Sequence, residues 1–371
     1  AGMLSEATPA PASDGSFCFG LDAPVESVPA GYSLETIVHL GTGVNAAMKE
    51  WGTTMLDKYK TVRPADFASE WLGFSTDNGA YYYYGWHPTA TTPDYSNYEE
   101  ALTGVHGYAA KEDIPYKHVL LDSWWYTKGE AGGGKEWDAT GSTFPHGLRA
   151  FATTTGWRFM MHNRHWSDDN VYGSKNGGKY AFVYTPNGSQ MAMPTEQALW
   201  DDLMANKTQG GVPLSVYEQD WLYNEWQGVA EARASPTLSR QWLMQMGAGA
   251  AKVNTTIQYC MSLARNILQT IEIPSVTTFR ASDDYGPGQT GYYPTKRTGK
   301  PPTNGSTGCT FPYCVYYVGT TSIIAHALNL KPSKDNYWST ALQRGSAFNR
   351  NPWQPTFLND THEPYNEMQS A

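Results

Sequence analysis

The chain has 371 residues, of which only 16% are charged, and its formal net charge is −9 at pH 7. Nucleic acids and anionic membranes are bound by basic patches, so this acidic balance argues against both kinds of partner. No apolar stretch reaches the length of about 18 residues that a membrane-spanning helix needs. The length allows either two ordinary domains or one large barrel.

The first part of the chain differs in composition from the rest. Residues 1–32 are rich in Ala, Pro and Ser, which predicts a linker or the remnant of a preceding domain. From Ser33 to Tyr59, apolar residues recur at steps of three and four, which predicts a helix. We expect residues 33–371 to form one domain.

Beyond this first helix, apolar strand-like runs alternate with helical patterns, as in parallel βα units. Strands are predicted at 71–76, 117–122, 157–162, 213–218, 253–261, 275–280 and 329–335. Helices are predicted at 95–112, 146–155, 194–208, 236–250, 262–272 and 314–328. The predicted fold is an α/β (β/α)8 TIM barrel that lacks its last strand. We therefore expect a fragment that is completed by the rest of its polypeptide or by another chain.

Several predicted strands end abruptly in acidic or hydrogen-bonding residues. Carboxyl ends of parallel strands open onto the active site in a barrel, so these residues are the candidates for function. The runs that end this way are LGFSTDNG (72–79), HVLLDSWW (118–125), WRFMMHNRHW (157–166), PLSVYEQDW (213–221) and PSVTTFRASDDYG (274–286).

Two of these strand ends carry carboxylates suited to catalysis. Asp220 follows the fourth strand among aromatic residues, where it could act as a nucleophile or simply cap the next element. Asp283 and Asp284 follow Arg280 after the sixth strand; mutual repulsion would favour one protonated carboxyl, the form that a general acid needs. The alternative for this pair is a turn cap before Gly286.

Other strand ends offer residues that suit sugar binding. Asp122 beside Trp124 could pair hydrogen bonds to hydroxyls with stacking on a sugar ring. His162, Arg164 and His165 form a further polar cluster, and Asp77 ends the first strand. The two histidines are three residues apart after a strand and share no helix face, so we expect no metal site and no cofactor.

Cysteines and glycosylation sequons bear on the compartment. Cys309 and Cys314 lie in a Gly-rich loop and could form a local disulfide, whereas Cys260 is predicted to be a buried thiol. The excess of sequons, together with 14 Trp and 25 Tyr, is typical of a secreted, carbohydrate-handling glycoprotein. The predicted glycosylation sites are Asn187, Asn206, Asn304 and Asn359, and a further sequon at Asn254 adjoins a predicted core strand.

The order of these motifs resembles that of glycoside hydrolase clan D, in particular the raffinose-synthase-like and α-galactosidase family 36, and more distantly families 27 and 31. LLDSWW resembles the second-strand motif, with Ser123 in place of its usual second acid, and YEQDW occupies the place of the nucleophile on the fourth strand. FRASDDYGP is similar to the sixth-strand motif that carries the acid/base. The stretch ending in KPSKDNYWST resembles the seventh strand and places Asp335 and Trp338 at the site.

The resemblance implies a retaining exo-α-glycosidase or transglycosidase acting on an α-linked glycan or oligosaccharide. Asp220 would be the nucleophile, and Asp284, or its rival Asp283, the acid/base. The implied substrate-binding residues are Asp77, Asp122, Trp124, His162, Arg164, Glu218, Arg280, Asp335 and Trp338.

One departure from the family is Glu218, which stands where galactose-specific relatives carry Lys two residues before the nucleophile. This charge reversal argues against galactosidase activity. The alternative function is a catalytically silent secreted glycoprotein whose barrel binds glycans or serves a structural, surface role. A metal hydrolase built on His162 and His165 is a third hypothesis.

Overall fold

The structure is a computed structural model that describes residues 20–21, 24–76, 95–185, 190–281 and 321–333. Within these ranges the chain forms two β-sheets surrounded by helices. The strands are β1 (Gly73–Ser75), β2 (His118–Leu121), β3 (Tyr126–Lys128), β4 (Gly134–Ala139), β5 (Arg158–Asn163), β6 (Trp166–Ser167), β7 (Phe182–Tyr184), β8 (Met191–Pro194), β9 (Leu214–Gln219), β10 (Thr256–Tyr259), β11 (Val276–Arg280) and β12 (Lys331–Ser333).

The helices alternate with the strands of the larger sheet. They are α1 (Val44–Tyr59), α2 (Phe67–Glu70), α3 (Tyr98–Lys111), α4 (Leu148–Thr155), α5 (Gln197–Gln209), α6 (Leu222–Gly228), α7 (Ala230–Ala234), α8 (Leu238–Lys252), α9 (Ala264–Gln269) and α10 (321–327). No helix among the described residues is both long and apolar enough to cross a membrane.

The larger sheet has seven strands in the order β1-β2-β5-β9-β10-β11-β12, and every neighbouring pair is parallel. All seven predicted strands are confirmed. Each begins within three residues of its predicted start and ends within two residues of its predicted end. The parallel sheet with intervening helices agrees with the predicted α/β class, although the described residues do not show a closed barrel.

The short helix α2 shows how the sheet curls, because it contacts strands that are distant in the sheet. Its Ala68 packs on the apolar side chains of Leu120, Met160 and Val216, which come from β2, β5 and β9. Lys331 of β12 donates a 2.6 Å hydrogen bond to Ser69 in the same helix. A helix of four residues can reach these strands only if the sheet bends around it, so α2 fills the amino-terminal end of the sheet's concave interior.

Local sequence signals explain where the main helices begin. Asn97 caps α3 by accepting a 2.9 Å hydrogen bond from the Glu100 backbone, and the Glu100 carboxylate accepts one from Ser96 in return. The predicted first helix was too long, because residues 33–43 are not helical and α1 begins at Val44. Two glycines within the segment GTG precede this start, and each disfavours a helix by about 1 kcal/mol relative to alanine.

A second sheet of five strands, in the order β3-β4-β6-β8-β7, was not predicted. It is built from the segments that follow β2 and β5, where the sequence shows a polar, Gly-rich excursion at 167–192. Three of its strands have only two or three residues, so neither alternation nor length marked them as strands. The fully buried Trp137 and Trp166 anchor this sheet over the carboxyl ends of the larger one.

Candidate active site

Asp220 lies directly after β9, at the carboxyl end of the central strand of the larger sheet. Its backbone N–H donates a 2.8 Å hydrogen bond to the Asn163 carbonyl, so the residue is still held against β5. Its carboxylate Oδ1 accepts a 2.7 Å hydrogen bond from the backbone N–H of Trp221, which has left-handed backbone angles. The backbone and the carboxylate of Asp220 are therefore both held by hydrogen bonds, and 8% of the residue is exposed.

The imidazole of His162 contacts the other oxygen of the Asp220 carboxylate. The Nε2 atom of His162 lies 3.0 Å from Asp220 Oδ2, and its Nδ1 atom lies 3.1 Å from the hydroxyl of Tyr126. The carbonyl of His162 accepts hydrogen bonds from the indole N–H groups of Trp125 and Trp137, at 3.0 and 2.9 Å. Ring and backbone are both held, so the imidazole is oriented before any ligand binds.

The charges around Asp220 keep its carboxylate ionised. Burial alone would raise the pKa of Asp220, but the hydrogen bond and charge of His162 outweigh it, assisted by the charge of Arg280 and a hydrogen bond from the Cys260 thiol. The resulting pKa lies well below the usual range of an aspartate. An anionic, oriented carboxylate at a strand end has the properties of a nucleophile.

Thr76 joins the ends of β1 and β2 at one side of the site. Its hydroxyl donates a 2.6 Å hydrogen bond to the Leu120 carbonyl and accepts one from the Asp122 backbone N–H at 3.2 Å. It also accepts a 3.0 Å hydrogen bond from the Trp124 indole. The Trp124 ring stacks on Tyr98 with 3.8 Å between centroids, so this indole face packs inside the protein and does not offer a free platform to a sugar.

Glu218 lies on β9 two residues before Asp220, and 1% of it is exposed. Its Oε1 atom accepts a 3.2 Å hydrogen bond from the Gln258 amide on β10. The Gln258 carbonyl oxygen in turn accepts a hydrogen bond from the Thr278 hydroxyl on β11, at 3.4 Å. The interior of the sheet at this level is therefore polar across three neighbouring strands.

Two cationic side chains meet at the hydroxyl of Ser123. Arg164 Nη2 donates to Ser123 Oγ at 2.8 Å, and Lys128 Nζ donates to the same atom at 3.4 Å. The Arg164 guanidinium is held by a 3.1 Å hydrogen bond to the Gly132 carbonyl and lies 4.7 Å above the Trp221 ring. Burial, together with the charge of Arg164, lowers the pKa of Lys128 to about 7.

His165 is buried against Trp221, with 5.3 Å between the ring centroids. Burial, with the charge of Arg164, lowers the pKa of His165 to about 4, so its ring is neutral at pH 7. No group of three His, Cys, Asp or Glu side chains within the described ranges could hold a metal ion. His162 is engaged with Tyr126 and Asp220, which leaves the metal-hydrolase hypothesis without a described ligand set.

The predicted site residues fall into two groups. The structure brings Asp122, His162, Arg164, Glu218, Asp220 and Arg280 to the carboxyl ends of neighbouring strands, and it packs Trp124 behind them. The others lie outside the described residues: Asp77, Asp283, Asp284, Asp335 and Trp338, together with Cys309, Cys314, Asn187, Asn304 and Asn359.

Cys260 and the sequons at Asn206 and Asn254 lie within the described residues. Cys260 is buried and unbridged, as predicted, and it follows β10 directly. Asn206 is exposed on α5. Asn254 is also exposed, although it adjoins the core strand β10. It lies in the tight turn before β10 with left-handed backbone angles, which turns its side chain outwards.

Sequence reasoning missed Tyr126, Lys128 and Gln258 as site residues. Tyr126 and Lys128 lie just after the LLDSWW motif, on β3. Their closeness to that motif in the sequence was the only available signal. Gln258 was hidden inside an apolar run, where a single amide is usually a satisfied core residue.

Glu225 is a further unpredicted carboxyl, on α6 just beyond Asp220. It is completely buried. Burial raises the pKa of Glu225 well above its usual range, and the Trp166 backbone amide offsets this only in part. Burial therefore favours the neutral form of this carboxyl, whose charge would also raise the pKa of the buried Tyr217.

No family model and no curated protein matches the sequence. Among solved structures, the chain is similar to an α-galactosidase from Lactobacillus brevis, at 12% identity and a TM-score of 0.39, covering 74% of this chain and 40% of that one. It is also similar to a family 31 dextranase from Flavobacterium johnsoniae complexed with glucose, at 13% identity and a TM-score of 0.41, covering 64% of this chain and 30% of that one.

A third similar structure is an α-N-acetylgalactosaminidase from Bifidobacterium bifidum, at 9% identity and a TM-score of 0.36. The match covers 74% of this chain and 47% of that one, so the chain spans less than half the length of each of the three structures. All three are glycoside hydrolases by name. At these scores the similarity assigns neither an activity nor a substrate to this chain.

Proposed function

We propose that the protein is a retaining exo-acting α-glycosidase or transglycosidase that cleaves an α-linked glycan or oligosaccharide. The observation that carries the proposal is the Asp220 carboxylate, which is buried, oriented and held ionised at the carboxyl end of β9. A nucleophile must be both anionic and fixed in direction to attack an anomeric carbon, and these contacts supply both conditions.

The proposed reaction has two displacements. Asp220 attacks the anomeric carbon from the β face, and the bond to the leaving oxygen breaks as a second carboxyl donates its proton. That carboxyl then takes a proton from water, or from a sugar hydroxyl in transfer, and the resulting oxygen displaces Asp220 to give an α-configured product. Asp284, with Asp283 as its rival, is our candidate for the second carboxyl.

His162 is a positioning residue in this proposal. Its imidazole holds Asp220 Oδ2, while the Tyr126 hydroxyl contacts the opposite ring nitrogen. The charge on Asp220 is lost when the glycosyl-enzyme bond forms and returns when that bond breaks. A fixed donor limits how far the carboxylate can rotate during both steps.

Asp122, Glu218 and Arg280 are the candidates for contacts to substrate hydroxyls. Their strand-end positions surround Asp220, and each is at least nine-tenths buried. Glu218 is held by Gln258, so a hydroxyl or amine donor on the sugar could share this carboxylate. A lysine in its place would instead donate to the sugar, which is why we expect galactose not to be the preferred unit.

A catalytically silent glycan-binding protein is the second candidate function. The observation that favours it is the same buried Glu218, which adds a negative charge two residues from the proposed nucleophile. A secretory location and glycosylation, including the exposed Asn206, stay predictions for either function.

Turnover of a panel of aryl α-glycosides by the unmodified protein and by an Asp220→Asn variant tests the proposal. We expect the best substrate to lose at least about 10³-fold in kcat, because an amide cannot form the glycosyl-enzyme bond. Glu136→Gln, an exposed carboxylate on β4, is the matched control and should leave kcat unchanged. Equal activity of Asp220→Asn and unmodified protein would remove Asp220 as nucleophile.

The stereochemistry gives an independent check. An Asp220→Gly variant supplied with azide should release a β-configured glycosyl azide, because azide occupies the face from which Asp220 attacks. The unmodified protein should release the α-anomer first, as seen by proton NMR during turnover. Initial release of the β-anomer would show inversion instead, and no turnover of any α-glycoside would favour the silent alternative.

A further inference from the structure

One peptide group joins the proposed nucleophile to the residue after it, and both polar ends of that group are hydrogen-bonded. Its N–H, from Trp221, donates a 2.7 Å hydrogen bond to Oδ1 of the Asp220 carboxylate. Its carbonyl, from Asp220, accepts a 3.0 Å hydrogen bond from the side-chain amide nitrogen of Gln219. A peptide group is planar, so a contact that holds the carbonyl also sets the direction of the N–H.

Gln219 is one of three fully buried side chains that are hydrogen-bonded in series. Asn163 Nδ2 donates to the Tyr217 hydroxyl at 2.8 Å, and that hydroxyl donates to Gln219 Oε1 at 2.9 Å. The series returns to Asp220, because the Asn163 carbonyl accepts a 2.8 Å hydrogen bond from the Asp220 backbone N–H. Asn163, Tyr217, Gln219 and Asp220 thus form a closed hydrogen-bond circuit around the backbone of the proposed nucleophile.

The direction of each hydrogen bond in the circuit follows from the groups involved. A backbone carbonyl can only accept, so the Gln219 side chain must turn its nitrogen toward Asp220 and its oxygen toward Tyr217. The Tyr217 hydroxyl must therefore donate to Gln219, and its oxygen accepts from Asn163. Burial raises the pKa of Tyr217 well above its usual range, so the hydroxyl keeps the proton that it donates.

The side chains of the circuit lie on the face of β9 that is turned away from the interior of the sheet. Tyr217 and Gln219 are two residues apart, and the pairing of β9 with β5 is regular over this part of the strand, so they share one face. Glu218, between them, points to the opposite face and contacts Gln258. The strand itself therefore separates Tyr217 and Gln219 from a sugar in the interior.

The neighbouring elements hold Tyr217 in place. Its aromatic ring packs edge-to-face against Trp137 of the second sheet and Trp200 of α5, with 5.2 and 5.9 Å between the ring centroids. All three rings are fully buried. The Tyr217 hydroxyl consequently has a fixed position, which the hydrogen bonds of the circuit pass on to the Asp220 carbonyl.

The backbone conformation directly after this peptide is unusual. Trp221 has a φ of 58° and a ψ of 30°, in the left-handed region that residues with a side chain seldom adopt. Such a conformation persists only where the surrounding structure holds it, and it is often found at functional sites. The circuit holds the chain at the point where it enters this conformation, one residue after the carboxylate.

We propose that Tyr217 and Gln219 are positioning residues for Asp220: through the peptide between Asp220 and Trp221 they direct an N–H toward the attacking carboxylate. This inference rests on the proposed glycosidase function and adds two residues that do not touch the substrate. The N–H holds Oδ1 and His162 holds Oδ2, so the plane of the carboxylate is fixed. Breaking the circuit should slow the reaction without weakening substrate binding.

The competing explanation is that the circuit serves stability alone, because buried polar groups need hydrogen-bond partners. The chain offers a matched control in Tyr259, a fully buried tyrosine on the neighbouring strand β10. The hydroxyl of Tyr259 has no hydrogen-bond partner among the described residues. Tyr259→Phe thus removes the same atom as Tyr217→Phe from a similar environment, but it breaks no hydrogen bond.

The kinetic test measures kcat and KM on the best aryl α-glycoside, with rates normalised to the folded fraction found by urea unfolding. We expect Tyr217→Phe and Gln219→Met each to lower kcat about 10-fold, the size of one lost hydrogen bond, and to leave KM unchanged. Tyr259→Phe should change neither. If Tyr217→Phe kept the kcat of the unmodified protein, or lost no more than Tyr259→Phe, the inference would be wrong and the glycosidase proposal would stand.

A second measurement does not depend on turnover. Asp220 and Trp221 form the only Asp-Trp pair in the sequence, so isotopic labelling of Asp carbonyl carbons and Trp amide nitrogens selects this one peptide in an NMR spectrum. Its amide proton donates to a carboxylate and should resonate downfield. We expect it to move upfield in Tyr217→Phe and Gln219→Met but not in Tyr259→Phe.

The NMR result separates failure of this inference from failure of the proposed function. An amide resonance that stays in place in Tyr217→Phe and Gln219→Met overturns the inference, whether or not the protein hydrolyses a glycoside. The expected upfield movement in a protein without turnover would show that the circuit positions the Asp220 carboxylate although the proposed reaction fails.

Discussion

The two ends of the concave interior of the larger sheet are built from the same strands but differ in chemistry. At the amino-terminal end, Leu120, Met160 and Val216 pack on Ala68 of α2. At the carboxyl end the same strands β2, β5 and β9 present Asp122, His162, Glu218 and Asp220. The change from apolar to charged takes place within two residues along each strand.

This contrast shows how one sheet supports both stability and a reactive site. The apolar end gains free energy by removing side chains from water, roughly 25 cal/mol per Å² of apolar area. The polar end costs free energy, because buried charges require partners. Helix α2 closes the first end and the second sheet covers the other. Stability and activity should therefore respond separately to substitutions at the two ends.

The largest expected effect on stability is at the apolar end. Leu120→Ala should lower the free energy of unfolding by about 2–5 kcal/mol, because it opens a cavity beneath α2. Urea denaturation followed by tryptophan fluorescence measures this change. Leu40→Ala, whose side chain is 88% exposed, is the control and should change stability by less than about 0.5 kcal/mol. If the folded fraction of Leu120→Ala lost turnover, stability and activity would not respond separately at the two ends, and the prediction would be wrong.

A smaller effect is expected at the polar end, where it should appear in turnover. His162→Gln keeps a hydrogen-bond donor near Asp220 but removes the imidazole charge, so the pKa of Asp220 should rise. We expect kcat to fall about 10- to 100-fold, the size of one charge-assisted hydrogen bond. His146→Gln, at an exposed histidine, is the control. An unchanged pH–rate profile for His162→Gln would contradict the positioning role.

The last prediction concerns pH and both ends together, because each end contains a buried histidine. Burial lowers the pKa of His118 at the amino-terminal end and of His165 at the carboxyl end to about 4. Between about pH 6.5 and 4 the unfolded chain binds protons that the folded chain does not. The stability that these two residues contribute is complete above about pH 6.5 and is lost as the pH falls toward 4, by up to several kcal/mol in total.

Urea unfolding at pH 7 and pH 5 measures this loss. The double variant His118→Gln/His165→Gln should show a shallower decrease than the unmodified protein. If the decrease is equally steep in both, other groups carry the acid sensitivity and the two buried rings do not.

Much of the larger sheet could be predicted from local sequence. Its strands are short apolar runs bounded by polar clusters, and α3 and α4 lie close to their predicted bounds. Parallel strands separated by helices leave few possible arrangements, so strand order followed from chain order. The second sheet could not be predicted, because strands as short as β6, with two residues, carry no usable periodicity.

Part of the candidate site could be predicted because its residues lie at the ends of the predicted strands. Asp122, His162 and Asp220 were identified because each ends a predicted strand, and strand ends meet at one edge of a parallel sheet. Tyr126 and Lys128 belong to β3, which was not predicted, so nothing local connected them to Asp220. Their roles depend on contacts with residues 36 or more positions away, or on a shared hydroxyl that only folding brings within reach.

The sequence alone therefore determined the parallel sheet and the residues at its strand ends, because apolar runs and their polar stops are local properties of the chain. Only the tertiary structure decided which of those residues touch. His162 meets Asp220 across 58 residues, and Lys128 meets Arg164 at Ser123 through a turn of the second sheet. Those contacts set the charge of the carboxylate and the cation pair beside it, since electrostatic effects depend on distance and burial in the folded state.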